Sequence, residues 1–262
     1  WVIIGCFLLP STMYFSSGIH KDGLVFLMLA IVIYSVYQSL LKNRFTIKRL
    51  LLICISMALV FLLRNFIFLA LAPALFAWII SAKAGWRPGL TFAAVYLLAG
   101  LLIFNIDSLI SSIKPLEIIT ARQAEYIKLP TAATQIELTP LQPGFKSFAS
   151  NAPEAINHAF LRPYLWELPV KTILPLCIEL FLYQALLLVF IFFRRKDLNQ
   201  SDTPFMIFVI FLILTVFLLI GYIVPNLGSL VRYRSLYLPL IITPLVCYVD
   251  WKRLADSFKI KK

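Results

Sequence analysis

Apolar residues recur in this chain in long runs, at 1–9, 24–41, 50–63, 66–81, 89–105, 172–192, 205–224 and 235–249, each bounded by charge, Pro, Gly or Asn. A helix crosses the hydrocarbon core of a bilayer with about 20 predominantly apolar residues, and it satisfies its own backbone while doing so. Of 262 residues, 61% are hydrophobic and 14% charged, against about 45–50% and about 25% in ordinary soluble domains. That is more apolar surface than one soluble core can hide. A disordered tail, a disulfide-knotted secreted scaffold and a cytosolic enzyme are excluded. The expected fold is all-α, a polytopic helical membrane protein with about eight transmembrane helices and one large extracytoplasmic loop. Trp1 lies inside an apolar run, so the first helix is expected to be truncated. The divisions are N-terminal transmembrane helices over 1–105, the loop over 106–171, and C-terminal transmembrane helices with a cytoplasmic tail over 172–262.

The stretch 50–81 is ambiguous, because only Arg64-Asn65 interrupts it. As one helix it would reach roughly 48 Å at 1.5 Å per residue, too long for a core of about 30 Å. Charge decides for two passes. The loops 42–49, 82–88 and 193–204 and the tail then share one side, with fourteen basic residues, while the short loops opposite carry Lys21, Arg64, Arg232 and Arg234. Short basic loops mark the cytoplasmic side. The C-terminus is therefore expected in the cytoplasm, and the protein in the inner (plasma) membrane. The formal charge of +12 is read as topogenic, with no nucleic acid among the partners.

The loop 106–171 is longer than a connector needs, and such loops are functional or disordered. Residues 108–128 fit an amphipathic helix on the membrane surface, and the prolines from 129 to 153 predict irregular or extended chain. Cys6, Cys54, Cys177 and Cys247 have no metal or redox spacing and read as small hydrophobes within helices. His20 and His158 are too few and too isolated to suggest a metal site, and no cofactor is expected.

Four runs, 24–41, 66–81, 172–192 and 235–249, are expected to pass inward, so their outer ends are helix N-termini with a partial positive charge. Each nevertheless has cations there: Lys21, Arg64, Arg162 with Lys171, and Arg232 with Arg234. A shared anion, phosphate above all, accounts for the set. Simpler alternatives stay open: Arg162 pairing with Glu167, Lys21 with Asp22, Arg64 reaching lipid head groups, or Asp22 capping a helix. Glu179 sits roughly 10 Å into its run, and an ionisable group at such depth is a functional candidate. Its expected partner is Arg64 or Arg232, the alternative being a neutral carboxyl bonded alongside Gln184. In the segment 160–169, Tyr164 and Trp166 offer aromatic faces to a sugar ring and Glu167 a general base. The same residues also suit an interfacial anchor with one salt bridge.

Arg232-Tyr233-Arg234, followed by Pro239, resembles the Arg-Tyr-Arg-x-Pro-x-x-Pro element near the end of many bacterial envelope-polysaccharide membrane proteins, family-39-like (GT-C) glycosyltransferases or O-antigen-polymerase-like proteins. Leu236 stands where those chains usually have the first proline. Residues 16–22 before a span, and the Arg162-Pro163 to Trp166-Glu167 segment, are similar to other stretches of such proteins. The resemblance implies action at the outer face of the inner membrane on sugars linked to a polyprenyl phosphate or diphosphate. It assigns Lys21, Arg64, Arg162, Arg232 and Arg234 to the phosphate, and Asp22 or Glu167 to the catalytic base. The expected partners are membrane lipid and a polyprenyl-phosphate-linked glycan. Two alternatives remain: a transporter or flippase for an anionic lipid or solute, and a non-enzymatic membrane subunit working through the long loop.

Overall fold

The computed structural model describes residues 2–18, 21–110, 114–130, 134–167, 174–195 and 203–258. Regular structure among them is helical: α1 Val2–Phe7, α2 Pro10–Ser16, α3 Lys21–Leu41, α4 Ile47–Leu63, α5 Asn65–Ala84, α6 Pro88–Leu109, α7 Pro115–Ile127, α8 Phe145–Phe160, α9 Leu174–Phe193, α10 Thr203–Ile223, α11 Leu227–Ser235, α12 Leu238–Tyr248 and α13 Trp251–Phe258. Five of these, α3, α5, α6, α9 and α10, are long and apolar enough to cross a membrane, or six if α11 and α12, bent by 60° to each other, count as one.

The apolar runs break where the backbone chemistry demands it. Pro10 opens α2 and divides the first run into two short helices. Pro239 at the start of α12 follows the bend between α11 and α12, at the entry to the last run, since proline removes a helical donor and crowds the preceding turn. Arg64 adopts φ −152°, ψ 84° between α4 and α5, which ends one helix and starts the next, as the length of 50–81 requires.

α10 is the most buried of the five spanning-length helices and packs against α5, α6 and α8. Its Phe208 stacks on Trp78 of α5 with ring centroids 4.6 Å apart. Near its start, Phe205 meets both Tyr37 of α3 and Trp78. The bundle thus has two distinct ends. At one lie the C-terminal parts of α3 and α5 with the start of α10. At the other lie the starts of α3 and α5 with the ends of α4 and α10.

The segment between α6 and α9 departs from expectation in one half. α7 lies within the predicted 108–128 helix. However, the irregular chain expected over 129–153 gives way at Phe145 to α8, whose interior contains Pro153. Phe148, Ala152, Ala155 and Ala159 fall on one face of α8 and join the core, with the spacing of a packed helix. Burial of that face against α10 outweighs the cost of an internal proline. Before α8, the extended chain is fastened by Gln123 of α7, which donates to the Thr139 and Tyr222 carbonyls at 3.1 and 2.9 Å and accepts from Leu141 N at 2.7 Å.

The α8–α10 contact depends on Gly221. A Cβ at this position would stand 2.0 Å from the Ala155 carbonyl oxygen, so no side chain fits without separating the helices. Gly221→Ala is expected to destabilise the protein by about 1–3 kcal/mol, the usual cost of overpacking. Thermal unfolding of the purified variant in detergent, with proteolysis to score release of α8, measures this.

Candidate functional site

Charge collects where α3 and α5 begin and α10 ends. Asp22, in the first turn of α3, is completely buried, and Arg64 is 6% exposed. Arg64 donates from Nη2 to Asp22 Oδ1, and Arg232 of α11 donates from Nε to Oδ2 at 2.5 Å. A lone buried carboxylate carries a desolvation cost of several kcal/mol. Two guanidinium groups offset it and leave the trio one positive charge in excess. The Arg64 guanidinium also lies 4.1 Å from the centre of the Tyr233 ring, a cation–π contact. The Tyr233 hydroxyl stands 3.0 Å from that of Tyr126 in α7. Burial first, and then this hydroxyl neighbour, push Tyr126 up to about 12, so it remains a proton donor at neutral pH.

Beside this trio opens a cavity of about 390 Å³. Its polar wall is Lys21, Arg64, Asn65, Arg122, Tyr126 and Tyr233, and its apolar wall includes Phe61, Leu69, Ile119, Leu219 and Ile220. No Asp or Glu is among the lining residues. Arg122 keeps only a loose 3.7 Å pairing with Glu125, both largely exposed. Three cations, hydroxyls and an apolar flank suit an anionic head group attached to a hydrocarbon chain.

A second cluster adjoins it through α11. Arg234, 4% exposed, donates from Nη1 to the carbonyls of Ala159 and Arg162 at 3.0 and 2.9 Å, thereby capping the C-terminal end of α8. Arg162 Nε lies 2.9 Å from Glu167 Oε1, the ion pair held open as an alternative in the sequence. Arg162 Nη1 is 3.2 Å from His158 Nε2. Burial, and after it the charge of Arg162, push the His158 ring below its ordinary value, so it faces the guanidinium as the neutral acceptor. Tyr164 and Trp166 stack with centroids 4.7 Å apart at 10°, and Trp166 is 80% exposed. A cleft of about 370 Å³ is lined by Thr134, Gln135, Ile136, Glu137, Arg162, Glu167 and Leu227, with neither ring of the stack among its lining residues.

Glu179 does not make its expected pairing with Arg64 or Arg232, both of which are held by Asp22 instead. Its carboxylate accepts from Ser11 N at 3.1 Å, from Ser11 Oγ at 3.0 Å and from the Tyr183 hydroxyl. Ser11 N is one of the orphan donors at the start of α2, where a carboxylate is favoured. Arg234 lies within electrostatic reach of it. Gln184 turns instead to the Phe160 carbonyl at 3.3 Å.

Of the five cations expected to share one anion, Lys21 and Arg64 line the cavity, while Arg162, Arg232 and Arg234 have partners within the chain. The reason is helix position. Arg232 and Arg234 fall in the last turn of α11 and Arg162 just beyond α8, at C-terminal ends where cations are favoured. Lys21 and Arg64 do stand at helix N-termini, those of α3 and α5, whereas the expectation is corrected for Arg162, Arg232 and Arg234. Asp22, an expected base, is closed to solvent with both oxygens engaged. Lys171 and His20 lie outside the described residues. Arg122, Tyr126, Tyr233 and Glu137 were not anticipated. Arg122 and Tyr126, four apart on α7, were legible as one face of the predicted amphipathic helix, whereas Glu137 had no sequence signal. Among the described residues, no group of three or more His, Cys, Asp or Glu is placed to hold a metal ion.

Asp22→Ala strands Arg64 in a buried site and is expected to cost about 3 kcal/mol. The cost stays at the lower end because Arg232, 32% exposed at its side chain, can rehydrate. Denaturation of single and paired Asp22 and Arg64 variants measures it, and the double variant should cost less than the sum. His158 predicts a second effect. Its lowered value means the unfolded chain binds the proton more readily, so stability is full above about pH 6.5 and falls as pH drops below it. His158→Gln should flatten that slope in melting curves between pH 7.5 and 5.

No protein-family model, curated protein or solved structure matches the chain.

Proposed function

We propose that this chain is an integral membrane glycosyltransferase or polysaccharide polymerase that takes sugars from a polyprenyl phosphate or diphosphate at the outer face of an inner membrane. The reading rests on the cavity walled by Lys21, Arg64 and Arg122 on one side and by apolar side chains on the other. A phosphate on a hydrocarbon tail needs both walls together.

On this reading the chain has about eight spans, with the segment 106–171 outside and the C-terminus in the cytoplasm. The end opposite the cavity carries Lys42, Arg44, Lys48, Arg49, Lys83 and Arg87 in its two short loops, which supports a cytoplasmic placement for that end. Lys21, Arg64 and Arg122 hold the phosphate, and Arg232 fixes Asp22 and so orients Arg64. Arg162 and Arg234 build the neighbouring cleft. Glu167, with Glu137 across the same cleft, is the base toward an acceptor hydroxyl, and the Tyr164–Trp166 stack is a platform for a sugar ring.

The chemistry is a displacement at the anomeric carbon. The acceptor oxygen forms the new C–O bond and its proton passes to the carboxylate. The C–O bond to phosphate breaks, and the phosphate leaves with the electron pair. Charge grows on that phosphate in the transition state, where fixed cations stabilise it most.

Binding of a polyprenyl phosphate to the purified protein tests the reading. Arg64→Gln and Arg122→Gln should each weaken binding roughly tenfold or more, the worth of a charge-assisted hydrogen bond, and shorten or abolish polymer in cells. Undiminished binding and normal polymer in folded variants of both residues would overturn it.

A further inference from the structure

The end of the bundle remote from the arginine cluster holds a separate cavity of about 590 Å³. Four aromatic residues, Tyr37, Trp78, Trp86 and Phe205, form much of its wall, and Ser81 of α5 is its one buried hydroxyl. Ser81 is 2% exposed, and its Oγ has no hydrogen-bond partner among the described residues. Burying a hydroxyl without a partner carries a penalty of roughly 1–3 kcal/mol. A serine within a helix usually avoids it by bonding the carbonyl one turn back. This one instead borders a cavity large enough for part of a lipid.

Two of the three chain segments that border the cavity, the α3–α4 and α5–α6 loops, carry basic charge alone. Lys42 follows the lining residue Leu41, and Arg87 stands between Trp86 and Pro88, which both line the cavity. Lys83 lies two residues from Ser81, with its ammonium 4.6 Å from the centre of the Phe45 ring. The sequence contains no Asp or Glu between Asp22 and Asp107, so nothing within these two loops neutralises their charge; Asp202, before the lining residue Thr203, lies outside the described residues.

We propose that this cavity binds an anionic glycerophospholipid of the surrounding leaflet. The acyl chain lies along Tyr37, Trp78, Trp86 and Phe205. The ester carbonyl, which sits between tail and head group, accepts from Ser81 Oγ, and the phosphate meets Lys42, Lys83 and Arg87. A hydrocarbon alone would leave the Ser81 hydroxyl unpaired, and a soluble anion would leave the aromatic wall without a partner. An ester-linked phospholipid meets both requirements in the order in which the wall presents them. The site stands apart from the phosphate cavity and does not depend on the activity proposed for it.

The test uses the full chain, purified in a neutral detergent and melted with phosphatidylglycerol or phosphatidylcholine at equal concentration. Saturating phosphatidylglycerol should raise the melting temperature by about 5 °C, as binding to the folded state does, and phosphatidylcholine by clearly less. Ser81→Ala, which removes only the hydroxyl, should weaken the phosphatidylglycerol response about fivefold in half-saturating concentration. Lys83→Gln with Arg87→Gln should abolish the preference between the two lipids. Lys146→Gln, an exposed cation of α8 outside both cavities, should leave the preference intact. Equal stabilisation by both lipids, an unchanged response in Ser81→Ala, or loss of the preference in Lys146→Gln overturns the proposal.

Discussion

The carboxylate of Asp22 is the interaction on which the rest of this structure turns. It joins three separate parts of the chain, the start of α3, the break at Arg64 and the end of α11, and is itself shielded from solvent. An ionised group in such a site must be paired or it is not tolerated. The two arginines in turn need the carboxylate, so each of the three groups justifies the burial of the others. The excess positive charge is what remains for a ligand. It faces a cavity whose other wall is hydrocarbon, and this pairing of charge with an apolar flank underlies the proposed recognition of a lipid-linked phosphate.

The neighbouring cluster follows the same logic with different partners. Arg234 spends its donors on the carbonyls at the end of α8, and Glu179 accepts from the free N–H at the start of α2. Opposite charges therefore sit at opposite kinds of helix terminus, each matched to the local dipole. These contacts tie α11 to α8 and α9 to α2. The stack of Tyr164 on Trp166 and the pairing of Arg162 with Glu167 hold that segment in a single arrangement, which a site acting on a sugar requires.

Much of the helical plan was legible in the sequence, because span-length apolar runs and their breakers act locally. The division at Arg64 followed from length together with the distribution of basic residues, and α7 from its amphipathic pattern. α8 was not legible: Pro153 argued against it, and the contact that stabilises it, Ala155 against Gly221 of α10, joins residues far apart in sequence. The site shows the same divide. That Asp22, Arg64 and Arg232 mattered could be read from charges placed where topology does not call for them. That they satisfy one another, while Arg122 and Tyr126 complete the cavity, could not, since sequence gives the inventory of charges but not their partners. Arg232 and Arg234 were misplaced for a related reason. Both were read as flanking the start of the last run, 235–249, whereas a separate short helix, α11, precedes that run and carries them in its last turn.

The central claim is that Lys21, Arg64 and Arg122 receive the phosphate of a membrane-borne lipid. The most direct measurement is a structure of the protein in lipid nanodiscs supplied with a polyprenyl phosphate. The account predicts phosphate density within hydrogen-bond reach of Arg64 and Arg122, with the tail leaving along Phe61 and Leu69 and the Asp22 pairing intact. Phosphate density at another place on the protein, or a cavity closed by side chains while lipid is in excess, would contradict it.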